Sequence, residues 1–202
     1  MSSQSKPSAP TRITVSNLPL VASNAAVPHS EPGVEVLVDK LEPEDIMGGA
    51  YRRARISSSK KLPPSNDGHG KLELDDVPGI VLPGGLNMYY LDIPPKSEGA
   101  MHRTTSTDYL VVLQGTLSLI TPPKPFDVVD GRGTYGETIE TTCKPGDVVY
   151  QRGIMHALSN RTDEWVRVIA MVVGSEDNRV PIVGSSASAQ VENAVLNDAW
   201  LQ

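Results

Sequence analysis

Three side chains able to bind a metal or move a proton stand where short strands can bring them together. They are His102, in Gly99-Ala-Met-His-Arg-Thr-Thr-Ser-Thr-Asp-Tyr109, His156, in Gly153-Ile-Met-His-Ala-Leu-Ser-Asn160, and Asp108, six residues after the first histidine. Two imidazoles and one carboxylate hold a divalent ion by three points and leave positions open for substrate or dioxygen. The remaining histidines, His29 and His69, lie in Pro-, Ser- and Gly-rich surroundings and join no such set. The same residues also admit a plainer reading, in which His102 and His156 are hydrogen-bonded core histidines.

The positioning elements read as strands. Asp108-Tyr-Leu-Val-Val-Leu-Gln-Gly115 is apolar and β-branched, and Thr116–Ile120 alternates as its hairpin partner. Further strands are expected at Gly33–Asp39, Tyr51–Ile56, Ile80–Leu82, Leu86–Ile93, Ala100–Arg103, Thr138–Cys143, Val148–Gln151, Met155–Ser159 and Trp165–Val173. Leu41–Ile46 reads as a turn or one helical turn, and residues 122–136 as a loop over one barrel mouth. Val191, Val195, Leu196 and Trp200 recur at helical spacing, which predicts an amphipathic helix over Ala187–Leu201.

About ten short strands with turn residues between them argue for an antiparallel sandwich or barrel of jelly-roll type. The chain divides into a flexible arm (1–32), a barrel domain (33–175) and a C-terminal extension with the helix (176–202). Apolar islands in the arm, Ile13–Val15 and Leu18–Val21, suit an edge strand for this subunit or a partner.

Composition removes several functions. A net charge of -6 argues against a nucleic-acid partner, which needs a concentrated basic face. Cys143 is the only cysteine, so no intrachain disulfide or cysteine-rich zinc site is possible. No apolar run approaches the ~18 residues that cross a bilayer. The N-terminus lacks a basic stretch followed by an apolar core, so a cytoplasmic protein is expected.

The two histidine stretches resemble the motifs of the cupin family. The first cupin motif has His-x-His, a Glu three or four residues on and a Gly beyond; here stand His102, Thr104, Asp108 and Gly115. The second ends Pro-x-Gly-x-x-His-x-x-x-Asn; Gly153, His156 and Asn160 match, and Gln151 replaces the proline. The resemblance covers residues 80–174, and the wording of the motifs is similar to small fungal cupins of secondary-metabolite pathways, some described as oxidoreductases. It implies an all-β barrel and a homodimer paired through N-terminal strands. It also implies a metal at His102, Asp108 and His156, Fe(II) before Zn or Mn. Thr104 replaces the family's second histidine, and Asp is one methylene shorter than Glu.

The leading expectation is a metal-dependent oxidoreductase acting on a small aromatic or polyketide-derived molecule, with His156, Asp108 and Thr104 catalytic. The alternatives are a redox-neutral lyase, isomerase or cyclase with His156 as general base, or a non-catalytic ligand-binding cupin. Arg103, Tyr109, Tyr90, Gln151 and Met155 are the candidate substrate-binding residues.

Overall fold

The structure, a computed structural model, describes residues 5–20, 22, 29–182 and 192–201. It is nearly all β. The strands are β1 (Thr11–Asn17), β2 (Val34–Lys40), β3 (Glu44–Ile46), β4 (Tyr51–Ser59), β5 (Leu86–Ile93), β6 (His102–Arg103), β7 (Ser106–Gln114) and β8 (Leu117–Thr121). After them come β9 (Val128–Val129), β10 (Arg132–Gly133), β11 (Ile139–Cys143), β12 (Val148–Arg152), β13 (Ala157–Ser159) and β14 (Val166–Gly174). The chain closes with β15 (Asn178–Pro181), β16 (Asn193–Leu196) and β17 (Ala199–Trp200).

A six-stranded sheet, β12-β7-β14-β5-β4-β3, faces a three-stranded sheet, β11-β8-β13, and every pairing is antiparallel. Period-two alternation builds the wall between them. Val166, Val168, Ala170 and Val172 of β14 point inward beside Leu110 and Val112 of β7 and Tyr89 and Leu91 of β5. Each aliphatic side chain buried there contributes about 1.5–3 kcal/mol.

The same inward parity runs a polar row across one end of the sheet. Gln151, Asp108, Val172, Asn87 and Ser58 are successive cross-strand partners, all buried. Beneath the three-stranded sheet, a second cluster of Met101, Ile120, Met155, Ala157 and Leu201 is closed by Phe126 and Tyr135 from the 122–136 loop. That loop carries its own two-residue hairpin, β9–β10.

Several expectations change. Ile80–Leu82 is not a strand; the Asn87 side-chain amide donates to Ile80 O and holds the segment as an irregular loop. Glu44–Ile46 is a strand, and the tight turn follows it as a 3-10 turn at Met47–Gly49. In the described part of the expected C-terminal helix there are two strands instead, while residues up to 191 lie outside the described residues. There β16 pairs with β15 and β17 pairs with β6, so cross-strand ladders take the hydrogen bonds a helix would have made internally. The N-terminal island at Ile13–Val15 belongs to β1, which pairs with β2 of the same chain. No helix among the described residues is long and apolar enough to cross a membrane.

Candidate functional site

His102 and His156 are backbone partners. Each peptide N–H donates to the other's carbonyl at 2.8 Å, which brings the rings to 4.3 Å between centroids, tilted by 50°. Each ring is pinned the same way, its Nδ1 bonded to the carbonyl two residues earlier: Ala100 O at 2.9 Å and Ile154 O at 3.0 Å. A carbonyl only accepts, so Nδ1 carries the proton, and in the neutral ring Nε2 keeps its lone pair. Burial lowers both pKa values, His156 to about 4, with the His102 ring adding to the effect. Two neutral imidazoles of fixed tautomer therefore stand side by side.

The motif residues around them are held by specific contacts. Gly153 adopts φ +55°, and a Cβ there would run into the Asn178 side chain. Asn160 is fully buried. Its amide donates to Ile93 O, Pro94 O and Glu164 O, while its side-chain oxygen accepts from the Thr162 N–H and hydroxyl. It fastens the turn that follows β13, as expected for a turn-holding Asn.

A small cavity of about 40 Å³ lies inside the barrel, lined by His102, Thr104, Asp108, Gln151, His156 and apolar neighbours that include Tyr89 and Leu110. Ile46, Met47, Ile80, Thr104 and Trp200 line both this cavity and a neighbouring vestibule of about 490 Å³. Burial pushes the Asp108 carboxyl above its ordinary range, and a hydrogen bond from Ser106 pulls it partly back. The Thr104 and Ser106 hydroxyls are 2.9 Å apart.

Trp200 was not anticipated as part of this site. Its helical spacing with Val195 and Leu196 pointed elsewhere, and only the β17–β6 pairing sets it over His102. The closing segment is stitched down by five hydrogen bonds at three residues. Arg103 donates twice to Asn197 O, Thr105 donates its N–H and hydroxyl to the Asp198 carboxylate, and Leu201 N donates to Met101 O.

The structure thus brings together His102, Thr104, Asp108, Gln151 and His156, but not the three-point set. Among the described residues, no three of His, Cys, Asp and Glu gather as a metal site. Asp108 is paired across the strands with Gln151, and its short side chain faces the cavity without joining the imidazoles. The histidine pair by itself offers two nitrogen donors, one Nε2 from each ring.

Other expected substrate contacts lie outside the cavity. Tyr109 and Tyr90 have the outward parity of β7 and β5; Tyr109 packs on Tyr150, and Tyr90 lies under the Arg167 guanidinium. Met155 belongs to the second apolar cluster, and with Arg103 it lines a separate outer cleft of about 900 Å³.

No family model matches the chain. Oryzines biosynthesis cluster protein J of Aspergillus oryzae is 32% identical over 141 residues, covering 65% of this chain and 70% of that protein. The cupin-domain-containing oxidoreductase srdB of Neurospora crassa is 28% identical over 59% of this chain and 54% of its own length. Phomopsin biosynthesis cluster protein D of Diaporthe leptostromiformis is 38% identical over 97 residues, and the chain spans only 44% of its length. With both motifs seated on an antiparallel barrel, the chain belongs to the cupin superfamily. Within it, the chain groups with the cupins of fungal secondary-metabolite clusters.

Proposed function

We propose that the protein is an oxidoreductase of secondary metabolism. Its substrate is a small aromatic or polyketide-derived molecule, and its reacting centre is the pair His102 and His156. The observation that carries this reading is the shared state of the two rings: adjacent, neutral, His156 buried and His102 half-buried, each with Nδ1–H committed to a carbonyl. A ring so oriented offers Nε2 to an ion or to a substrate proton. The name of the Neurospora crassa relative supports the redox assignment.

His102 and His156 would hold the ion, Fe(II) before Zn or Mn, and an iron there would supply one-electron chemistry. The chain's own residues do the remaining work. Trp200 shields the pair from water, Ala100 O and Ile154 O fix the tautomers, and Asp108 and Gln151 face the incoming group. The test compares metal content of wild type and of His102→Ala/His156→Ala after anaerobic Fe(II) reconstitution. Wild type is expected to retain iron that the double variant loses; equally negligible metal in both overturns the metal assignment.

One observation favours a second reading, a redox-neutral lyase, isomerase or cyclase with His156 Nε2 as base: Asp108 does not complete a three-point set. Turnover under strict anaerobiosis by metal-free protein separates the two.

The reading also includes a homodimer. One face of the β1–β2 hairpin presents Ile13, Val15, Val34, Val36 and Val38, each 58% to 67% exposed. An apolar stripe of this kind marks a surface meant for a partner, here a second copy of the chain.

A further inference from the structure

At the inner end of the pocket, one cross-strand pair leaves three buried polar atoms without a hydrogen bond: Asp108 Oδ1, Gln151 Oε1 and Gln151 Nε2. Gln151 is 2% exposed and Asp108 7%. An unsatisfied buried polar atom is destabilising, so three at one place, on residues that line the cavity, mark a site built for a polar group. The conclusion does not depend on which way the Gln151 amide is turned, because both of its polar atoms are unpartnered.

Resting on the reading of this cavity as the ligand pocket, we infer that Asp108 and Gln151 recognise the head group of the ligand. That head is a neutral planar group carrying N–H or O–H donors beside one carbonyl acceptor, of the primary carboxamide class. Such a head donates to Asp108 Oδ1 and to Gln151 Oε1 and accepts from Gln151 Nε2. A free carboxylate offers two acceptor oxygens and no donor, so it leaves Asp108 Oδ1 and Gln151 Oε1 unpaired and places a negative charge beside Asp108. The sizes agree. At about 10–15 Å³ for a water, the 40 Å³ cavity takes one such head and no more. The body of the ligand then occupies the 490 Å³ vestibule beyond Trp200.

Benzamide and benzoate share a ring and differ only in the head, so they serve as probes of the full chain by saturation-transfer NMR. Benzamide is expected to bind wild type about tenfold more tightly than benzoate. Gln151→Leu should weaken benzamide about tenfold without lowering the melting temperature, since it removes two unpaired buried atoms. Asp108→Asn, an independent variant should Gln151→Leu fail to fold, narrows the gap by admitting benzoate. Three results overturn the proposal: no benzamide binding, benzoate binding as tight as benzamide, or undiminished benzamide binding in Gln151→Leu, which would leave the pair as a site for ordered water only. Iron retention by the histidine pair is read separately, so failure here leaves the redox assignment standing, and the converse holds.

Discussion

The Trp200 indole lies on the His102 imidazole at 4.1 Å between centroids, with the two planes within 5° of parallel. Their backbones are paired strand residues, so the stack is part of the sheet and not a chance contact. Trp200 is still 39% exposed and lines both the vestibule and the cavity, so it is the boundary between them.

Trp200→Ala is therefore expected to speed acylation of His102 by diethyl pyrocarbonate, read by peptide mass mapping, and to cost about 1–2 kcal/mol of stability. An unchanged rate at His102 would show that the indole does not control access.

The histidine pair makes stability depend on pH. Burial lowers the folded pKa of His156 to about 4, below the ordinary imidazole value of 6.5, so below pH 6.5 the unfolded chain takes a proton that the folded one refuses. Stability from this site is complete above pH 6.5 and falls as pH drops toward 4, by an amount on the order of 3 kcal/mol. His102 shifts in the same direction, while the raised Asp108 pKa works oppositely. Denaturant melts of wild type and His156→Gln between pH 7 and 4 should show a shallower acid loss in the variant.

Asn160→Ala should be among the most damaging single changes. It removes a fully buried side chain that serves three carbonyls and the Thr162 N–H and hydroxyl. A loss of about 3 kcal/mol or more is expected in urea unfolding. A loss below that of an ordinary surface substitution would contradict the role assigned to it.

The hairpin face is tested by Val36→Lys, which sets a charge in the centre of the apolar stripe. Light scattering should show wild type as a dimer and the variant shifted toward monomer, with the barrel's circular dichroism retained. Deleting residues 1–32 should weaken the dimer in the same way, and equal masses for all three proteins would count against it.

Much of the barrel was legible because inward positions repeat with period two and are β-branched or aliphatic. The strands around Leu110, Val112, Val166 and Val168 fall where the alternation puts them. The motif glycines and Asn160 were legible because turn chemistry is local. Ile80–Leu82 misled because a short apolar run packs equally well as a loop against a core. Trp200 misled because spacing along the chain carries no information about a partner strand distant in sequence. Tyr90 and Tyr109 stood near the motifs in sequence, yet parity turned them outward.

The sequence by itself determined the fold class and the two motifs, since both follow from alternation and local turns. The tertiary structure alone decided how their residues combine. It joined His102 to His156 by backbone bonds, paired Asp108 with Gln151 and laid Trp200 over the opening. The reason is register: a shift of one residue in any of these pairings would turn the side chain to the other face, and registers are set by contacts between segments far apart in the chain.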